Sequence, residues 1–248
     1  ELSDLAHSVN RMAAYIHQML DAKRDLLLAI SHELRTPLTR ARLNAELLAE
    51  DADTAPTRAA LLRDLAQMRD LITDLLESER LASRHAALQR EATDLPALAH
   101  ALIGDMAALR AAAADVAVHV APSLTAPLWL DAGRTRLLLR NLLDNALRHT
   151  PTGAAPPELH LGVADNGHVL IEVRDHGPGV PPEQLARLTE AFYRPDDARQ
   201  RSTGGVGLGL YLARMVAEAH GGRLTVRNAQ PGLAVRAEWP AAAVPAES

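Results

Sequence analysis

Leu2, Leu5, Val9, Met12, Ile16 and Met19 recur at alternating intervals of three and four residues. That spacing puts all six on one narrow stripe of an α-helix, a coiled-coil seam over about two and a half heptads. The seam breaks near Lys23 and resumes with Leu27, Ile30, Leu34 and Leu38. Asp51–Pro56, reading DADTAP, is a turn signal. A second stripe follows at Leu61, Leu65, Met68, Ile72 and Leu75. Two helices joined by a short link form an antiparallel hairpin. A single hairpin with so narrow a stripe buries little apolar surface. The pattern therefore predicts pairing with a second copy, so that four helices share one core.

The texture changes after about Leu88. Leu88–Glu91 reads as a short strand, Asp94–Ala113 as a helix, and Asp115–Ala121 (DVAVHVA) alternates like a strand. Leu128–Leu130 is apolar, and Asp131 is placed to cap a helix that runs to about His149. Glu158–Ala164 and His168–Arg174 form a hairpin around Asp165-Asn166-Gly167. Pro181–Phe192 reads as a helix with prolines in its first turn. Arg194–Gly205 is polar and irregular, Leu208–His220 is helical, and Gly221-Gly222 stops it. Arg223–Arg227 and Leu233–Trp239 complete the chain as strands. Mixed helices and strands with two antiparallel pairs predict an α+β sandwich.

Composition narrows the function classes. Apolar residues make up 48% of the chain but aromatics only 2%, so the core is built of Leu, Ala and Val, and Phe192-Tyr193 stands out. The net charge of −5, from 26 basic and 31 acidic residues, gives no basic field and speaks against nucleic-acid binding. With no cysteine there is no disulfide, thiol nucleophile or thiolate metal site. No apolar run reaches membrane-spanning length, and no signal peptide is visible. The chain opens at Glu1, without Met and inside a helical pattern, and reads as a piece of something longer.

Within LAISHELRTPLTR, residues 28–40, a helix places His32 about 200° from both Ile30 and Leu34, away from the seam and toward solvent. A lone helical histidine is more often structural than catalytic, but the neighbours of this one change that balance. Thr36 is four residues on and shares its face. Glu33 is adjacent. Pro37 lacks an N–H and its ring clashes with the carbonyl of Glu33, so the helix bends beside the histidine. An exposed imidazole near its ordinary pKa is largely neutral at pH 7, and a neutral ring nitrogen can attack phosphorus. Glu33 can take the proton from the other nitrogen, and the Thr36 hydroxyl can position a water.

Three further segments suit a nucleotide. Asp175-His176-Gly177-Pro178-Gly179 follows a strand; a buried Asp accepts from an exocyclic amine, and the glycines let backbone approach a flat base. Gly204-Gly205-Val206-Gly207-Leu208-Gly209-Leu210 leads into a helix, offering backbone N–H groups to an anion. No Gly-Lys-Ser/Thr follows, so it is not a Walker loop. Asn141 and Asn145 lie one turn apart on a helix, and amide oxygens suit Mg²⁺. Arg148 and His149 on the next turn can reach phosphates. Alone, each segment has a plain reading as a turn, a linker or a solvated face. Their order, with Phe192-Tyr193-Arg194 between the last two glycine segments, is far more specific.

With SHELRTPLTR upstream of them, the chain resembles the cytoplasmic core of a bacterial sensor histidine kinase of a two-component system, over nearly its whole length. Residues 1–18 are similar to the last helix of a HAMP module, 19–86 to the dimerisation and histidine-phosphotransfer hairpin, and 87–240 to the Bergerat-type (GHKL) ATP-binding domain; 241–248 read as a disordered tail. The resemblance implies an α+β fold, a dimeric four-helix bundle followed by an α/β sandwich. It implies a homodimer that uses ATP and Mg²⁺ to phosphorylate His32 and passes the phosphoryl group to an Asp of a response-regulator receiver domain. By position, His32 matches the phosphoacceptor, Glu33 the proton acceptor and Thr36 the HExxT threonine that serves regulator dephosphorylation. Asn145 matches the Mg²⁺ ligand with Asn141 supporting it, and Asp175 the adenine reader beside Gly177 and Gly179. Gly205, Gly207, Leu208 and Gly209 match the phosphate loop, and Tyr193 and Arg194 the segment opening the lid. Arg148 and His149 stand where a lysine and an aromatic are common, and Ala191 where a proline usually precedes the Phe. The resemblance also implies upstream membrane-sensor segments, an inner-membrane parent and a cytoplasmic location for this piece. A phosphatase-dominant fragment and a non-enzymatic dimeric scaffold are the alternatives.

Overall fold

The computed structural model describes residues 37–46, 54–82, 87–124, 127–195 and 207–242, with the single positions Met12 and Leu34. The expected seam at Leu2–Met19 (Met12 apart), the His32–Glu33–Thr36 group and Gly205 lie outside the described residues. The chain forms two compact units, Glu1–Arg80 and Leu81–Ser248.

The first unit contains a helix described over residues 37–46 (α1) and a second at Ala55–Ala82 (α2). Arg58, in the first turn of α2, donates from Nε to the Ala45 carbonyl at 2.8 Å and from Nη2 to the Glu46 carbonyl at 2.8 Å. The Arg58 guanidinium thus ties the start of α2 to the backbone of α1. Leu38 and Leu43 of α1 and Leu65 and Ile72 of α2 line a groove of about 380 Å³, so the helices run antiparallel. The stripe is only partly covered: Leu43 is 51% exposed, Leu61 43% and Met68 50%.

The second unit is a five-stranded sheet backed by helices. Its strands are β2 (Ala117–Val120), β4 (Glu158–Val163), β5 (His168–Arg174), β6 (Arg223–Asn228) and β7 (Leu233–Pro240), in the order β2-β4-β5-β7-β6. β2 and β4 are parallel and the other pairs antiparallel. A two-stranded ribbon joins β1 (Glu91–Thr93) to β3 (Leu128–Leu130), and Trp129 of β3 also bridges Ala242. The helices are α3 (Leu95–Leu109), α4 (Ala132–His149) and α5 (Gly209–Ala219). Leu138, Leu139, Leu142 and Leu143 of α4 and Leu212, Ala213, Val216 and Ala217 of α5 are buried. Leu159 and Leu161 of β4 and Val169 and Ile171 of β5, two residues apart along each strand, join their core. The core is thus aliphatic, with Trp239 as its one fully buried aromatic among the described residues.

Local signals hold where they are strong. Asp131 caps α4, its Oδ1 accepting from Arg134 N at 2.9 Å, and Asp94 caps α3 in the same way through Ala97 N at 2.9 Å. Weaker signals shift. The strand read at Leu88–Glu91 sits at Glu91–Thr93, because antiparallel pairing with Leu128–Leu130 sets its position. The helix read to Ala113 stops at Leu109, and Ala111–Asp115 form a 3₁₀ turn that delays β2 to Ala117. Pro181–Phe192, read as a helix, is a 3₁₀ helix over Pro182–Thr189, and Phe192 takes φ +63°. Ala241 and Ala242, read as tail, hold backbone contacts: Ala241 N donates to Gly167 O at 3.1 Å and Ala242 bridges Trp129.

Candidate functional site

α4 buries its leucine face, and that fixes where its polar stripe points. Asn141, Asn145 and Arg148 follow at four and three residues on a half-buried side. Asn141 donates from Nδ2 to the Leu137 carbonyl at 2.9 Å, and its Oδ1 lies 3.0 Å from where a Cβ on Gly209 would be. The absence of a side chain at Gly209 thus lets the start of α5 come down onto Asn141. The Asn145 amide makes no side-chain hydrogen bond among the described residues. Arg148, assigned from sequence to phosphates, gives one donor to Asp144 Oδ2 at 2.9 Å. Asp144 also lies 3.8 Å from Arg110, whose Nη2 donates to the Leu147 carbonyl at 2.5 Å. His149 is exposed at the end of α4, and its carbonyl lies 2.6 Å from a Cβ built on Gly177. The one helix therefore reaches Gly209 near its middle and Gly177 at its end, ~12 Å apart along its axis.

Asp175 follows β5 and is 3% exposed. Its Oδ1 accepts from Gly177 N at 2.8 Å and from Leu233 N at 3.1 Å. Two backbone donors thus fix the orientation of the carboxylate. Oδ2 has no partner among the described residues. The Leu233 contact depends on Gly232, at φ +87°, whose missing Cβ would run into the Asp175 carbonyl. Gly179, at φ +72°, packs against Asn228, which accepts from Val180 N at 3.1 Å and donates to Val180 O at 2.8 Å. Sequence reading missed Leu233, Gly232 and Asn228 as the supports of this loop. Asn228 to Gly232 carried only a turn composition, with nothing to tie it to Val180 or Asp175 far back in the chain.

At the other end, Phe192 N donates to the Gly207 carbonyl at 3.0 Å. Gly207, at φ +81°, would place a Cβ 2.6 Å from the Tyr193 carbonyl. This clasp closes the base of the segment between Tyr193 and Gly207. The Tyr193 ring lies under the Arg187 guanidinium at 4.2 Å, and Arg194 is half-buried beside it in sequence. The Leu208 side chain is 3% exposed, so it contributes packing and only its backbone remains for a ligand. The structure brings Asn141, Gly207 and Gly209 together at one end, and His149, Asp175 and Gly177 at the other.

A cleft so built can take a nucleotide lengthwise. The single uncommitted oxygen of a buried carboxylate suits a base amine, and positive-φ glycines with a helix start suit phosphates. The free amide of Asn145 between them fits Mg²⁺, which takes few protein oxygens and keeps phosphate and water ligands.

Residues 22–84 match the model of the His Kinase A (phospho-acceptor) domain. Residues 130–243 match that of the histidine kinase-, DNA gyrase B- and HSP90-like ATPases. The chain is 39% identical to the sensor protein CseC of Streptomyces avermitilis, over 93% of this chain and 43% of that protein. It is 35% identical to the sensor protein RstB of Escherichia coli K12, over 92% of this chain and 51% of that protein. It therefore spans about half the length of these curated relatives. Among solved structures, full-length ShkA in complex with AMPPNP superposes with a TM-score of 0.70 at 30% identity, over 90% of this chain and 47% of that one. The mycobacterial sensor histidine kinase MprB matches with a TM-score of 0.50 at 28% identity, over 62% of this chain and 99% of that one.

Proposed function

The chain belongs to the sensor histidine kinases, whose phospho-acceptor and ATPase domains it carries, and on that basis we propose that it uses ATP to phosphorylate its own His32 and passes the phosphoryl group to an aspartate of a response-regulator receiver domain. The observation that carries the reading is the division of labour on Asp175. Oδ1 is saturated by Gly177 N and Leu233 N, which leaves Oδ2 to accept from the adenine amine. The AMPPNP held by the related ShkA supports the same ligand class for this chain.

At the far end of the cleft, backbone N–H groups around Gly207–Gly209 and the start of α5 would receive the phosphates, and the long Arg148 side chain would reach toward them from about two turns further along α4. Asn145, supported by Asn141, would hold Mg²⁺, which when bound neutralises phosphate charge. The neutral His32 nitrogen supplies the electron pair for a new N–P bond. The bond from the γ-phosphorus to its bridging oxygen breaks and ADP leaves. Glu33 takes the proton from the other ring nitrogen. Thr36 positions the water that removes the phosphoryl group from the regulator. The exposed Leu34, Leu43, Leu61 and Met68 of the hairpin support a homodimer that covers them. The parent protein is read as an inner-membrane sensor with its cytoplasmic core in this chain; no described helix is long and apolar enough to cross a membrane.

The test is incubation with γ-³²P-ATP and Mg²⁺, comparing the wild type with His32→Gln. Acid-labile, base-stable label that disappears in the variant is the expected result. Label that persists in His32→Gln would refute the assignment of the acceptor.

A further inference from the structure

The helices cover one face of the sheet, and the other carries side chains that the nucleotide site does not use. Along β4, Leu159 and Leu161 enter the core while Glu158 and His160 point the opposite way. His119 of the edge strand β2 stands directly opposite His160 in the parallel register. The two imidazoles stack with centroids 4.6 Å apart and planes 19° from parallel. Glu158 Oε2 lies 3.0 Å from His160 Nε2. One potential ligand atom from each of His119, Glu158 and His160 falls within 4.8 Å of the others. The second oxygen of Glu158 faces the other way: Oε1 lies 3.2 Å from His176 Nε2 and 4.0 Å from Arg174 Nη1.

We propose that His119, Glu158 and His160 form a binding site for a borderline divalent transition-metal ion of the Zn²⁺ type. Two imidazole nitrogens and one carboxylate oxygen are the donor set of many three-ligand zinc sites, which leave a fourth position to water. That set disfavours Mg²⁺ and Ca²⁺, which take oxygen ligands, so the site is chemically distinct from the one assigned to Asn145. A surface His pair often has to order two long side chains before it can bind. Here the backbone register fixes His119 beside His160, and the potential ligand atoms already lie within 4.8 Å of one another. A ligating carboxylate is usually oriented by an outer partner, and His176 and Arg174 lie within ion-pair reach of the other oxygen of Glu158 to serve as one. The Arg174 charge opposes a cation, but it lies by Oε1, while His160 lies by Oε2.

The test is a titration of the full chain, freed of metal by chelation, with Zn²⁺ against a chromophoric chelator, with no nucleotide present. Its outcome is thus independent of whether the ATP reading holds. The wild type is expected to bind one equivalent that His119→Ala and His160→Ala each lose, with unchanged far-ultraviolet circular dichroism. His176→Gln, which touches only the outer oxygen of Glu158, is expected to retain the site with affinity lowered ~10-fold or more. A Co²⁺ titration should give the visible absorption of a four-coordinate site in the wild type only. Superposable Zn²⁺ titrations of the wild type and the two alanine variants would overturn the proposal.

Discussion

Asp175 does two things with two oxygens. Because Oδ1 accepts from Gly177 N and Leu233 N, an asparagine can keep both contacts with its carbonyl oxygen and turn an amino group toward the ligand. Asp175→Asn is therefore expected to retain most of its stability but to lose about 1.5–3 kcal/mol of ATP binding, the value of a hydrogen bond to a charged group. Calorimetric titration beside a thermal melt separates the two effects; a collapsed melt with unchanged affinity would refute the division. His220 shows a different single-residue effect. It is 5% exposed, packs on Trp239 at 4.8 Å, accepts from Asp131 N at 3.4 Å and lies 2.8 Å from the Val216 carbonyl. Burial lowers its pKa, despite the Val216 carbonyl and the Asp131 carboxylate, which favour the protonated form. The folded state therefore keeps His220 neutral while the unfolded chain takes up a proton near pH 6.5. Its contribution is full above that pH and is lost progressively as the pH falls below it. Melting temperatures measured from pH 7.5 to 5 should fall with pH in the wild type and fall less steeply in His220→Gln.

Between elements, the contact of Gly207 with the Phe192–Tyr193 backbone ties the end of the 3₁₀ segment to the start of α5. Gly207→Ala meets both an unfavourable φ of +81° and the Tyr193 carbonyl at 2.6 Å. Gly221, at φ +82°, has nothing within 4 Å of a Cβ and isolates the conformational cost alone. Both alanine variants should lose about 1–3 kcal/mol in urea unfolding. Only Gly207→Ala should also weaken ATP binding, and equal affinities in the two would show that the clasp is irrelevant to the ligand. The same scale shows what the sequence made legible. α4 was readable from the Asp131 cap to His149 because cap and leucine period are local. The β4–β5 hairpin was readable from its alternation and its Asn-Gly turn. The parallel partnership of β2 with β4 was not, since DVAVHVA says that a strand exists but not which strand lies beside it. Nor did any local pattern join Asp175 to Leu233, or Val180 to Asn228. Those contacts arise only when β5, β6 and β7 align.

For the molecule as a whole, the hairpin leaves Leu61 and Met68 exposed at 43% and 50%, while the ATP-binding unit is closed around its own aliphatic core. Association should therefore reside in the hairpin. Leu61→Glu with Met68→Glu is expected to turn a sedimenting dimer into a monomer while ATP affinity stays within about twofold, since both residues lie outside the unit that carries the cleft. A dimer that survives the double change would place the contact elsewhere. The ATP-binding unit has a further property in the small ribbon beside its core. Ala92 and Ala242 both pair with Trp129, on its two sides, so the unit's entry and exit strands lie roughly 10 Å apart, two strand spacings. A body whose two ends leave side by side can be cut out and grafted elsewhere as a cassette, and its own ends can be joined by a few residues and reopened in the exposed stretch 151–156.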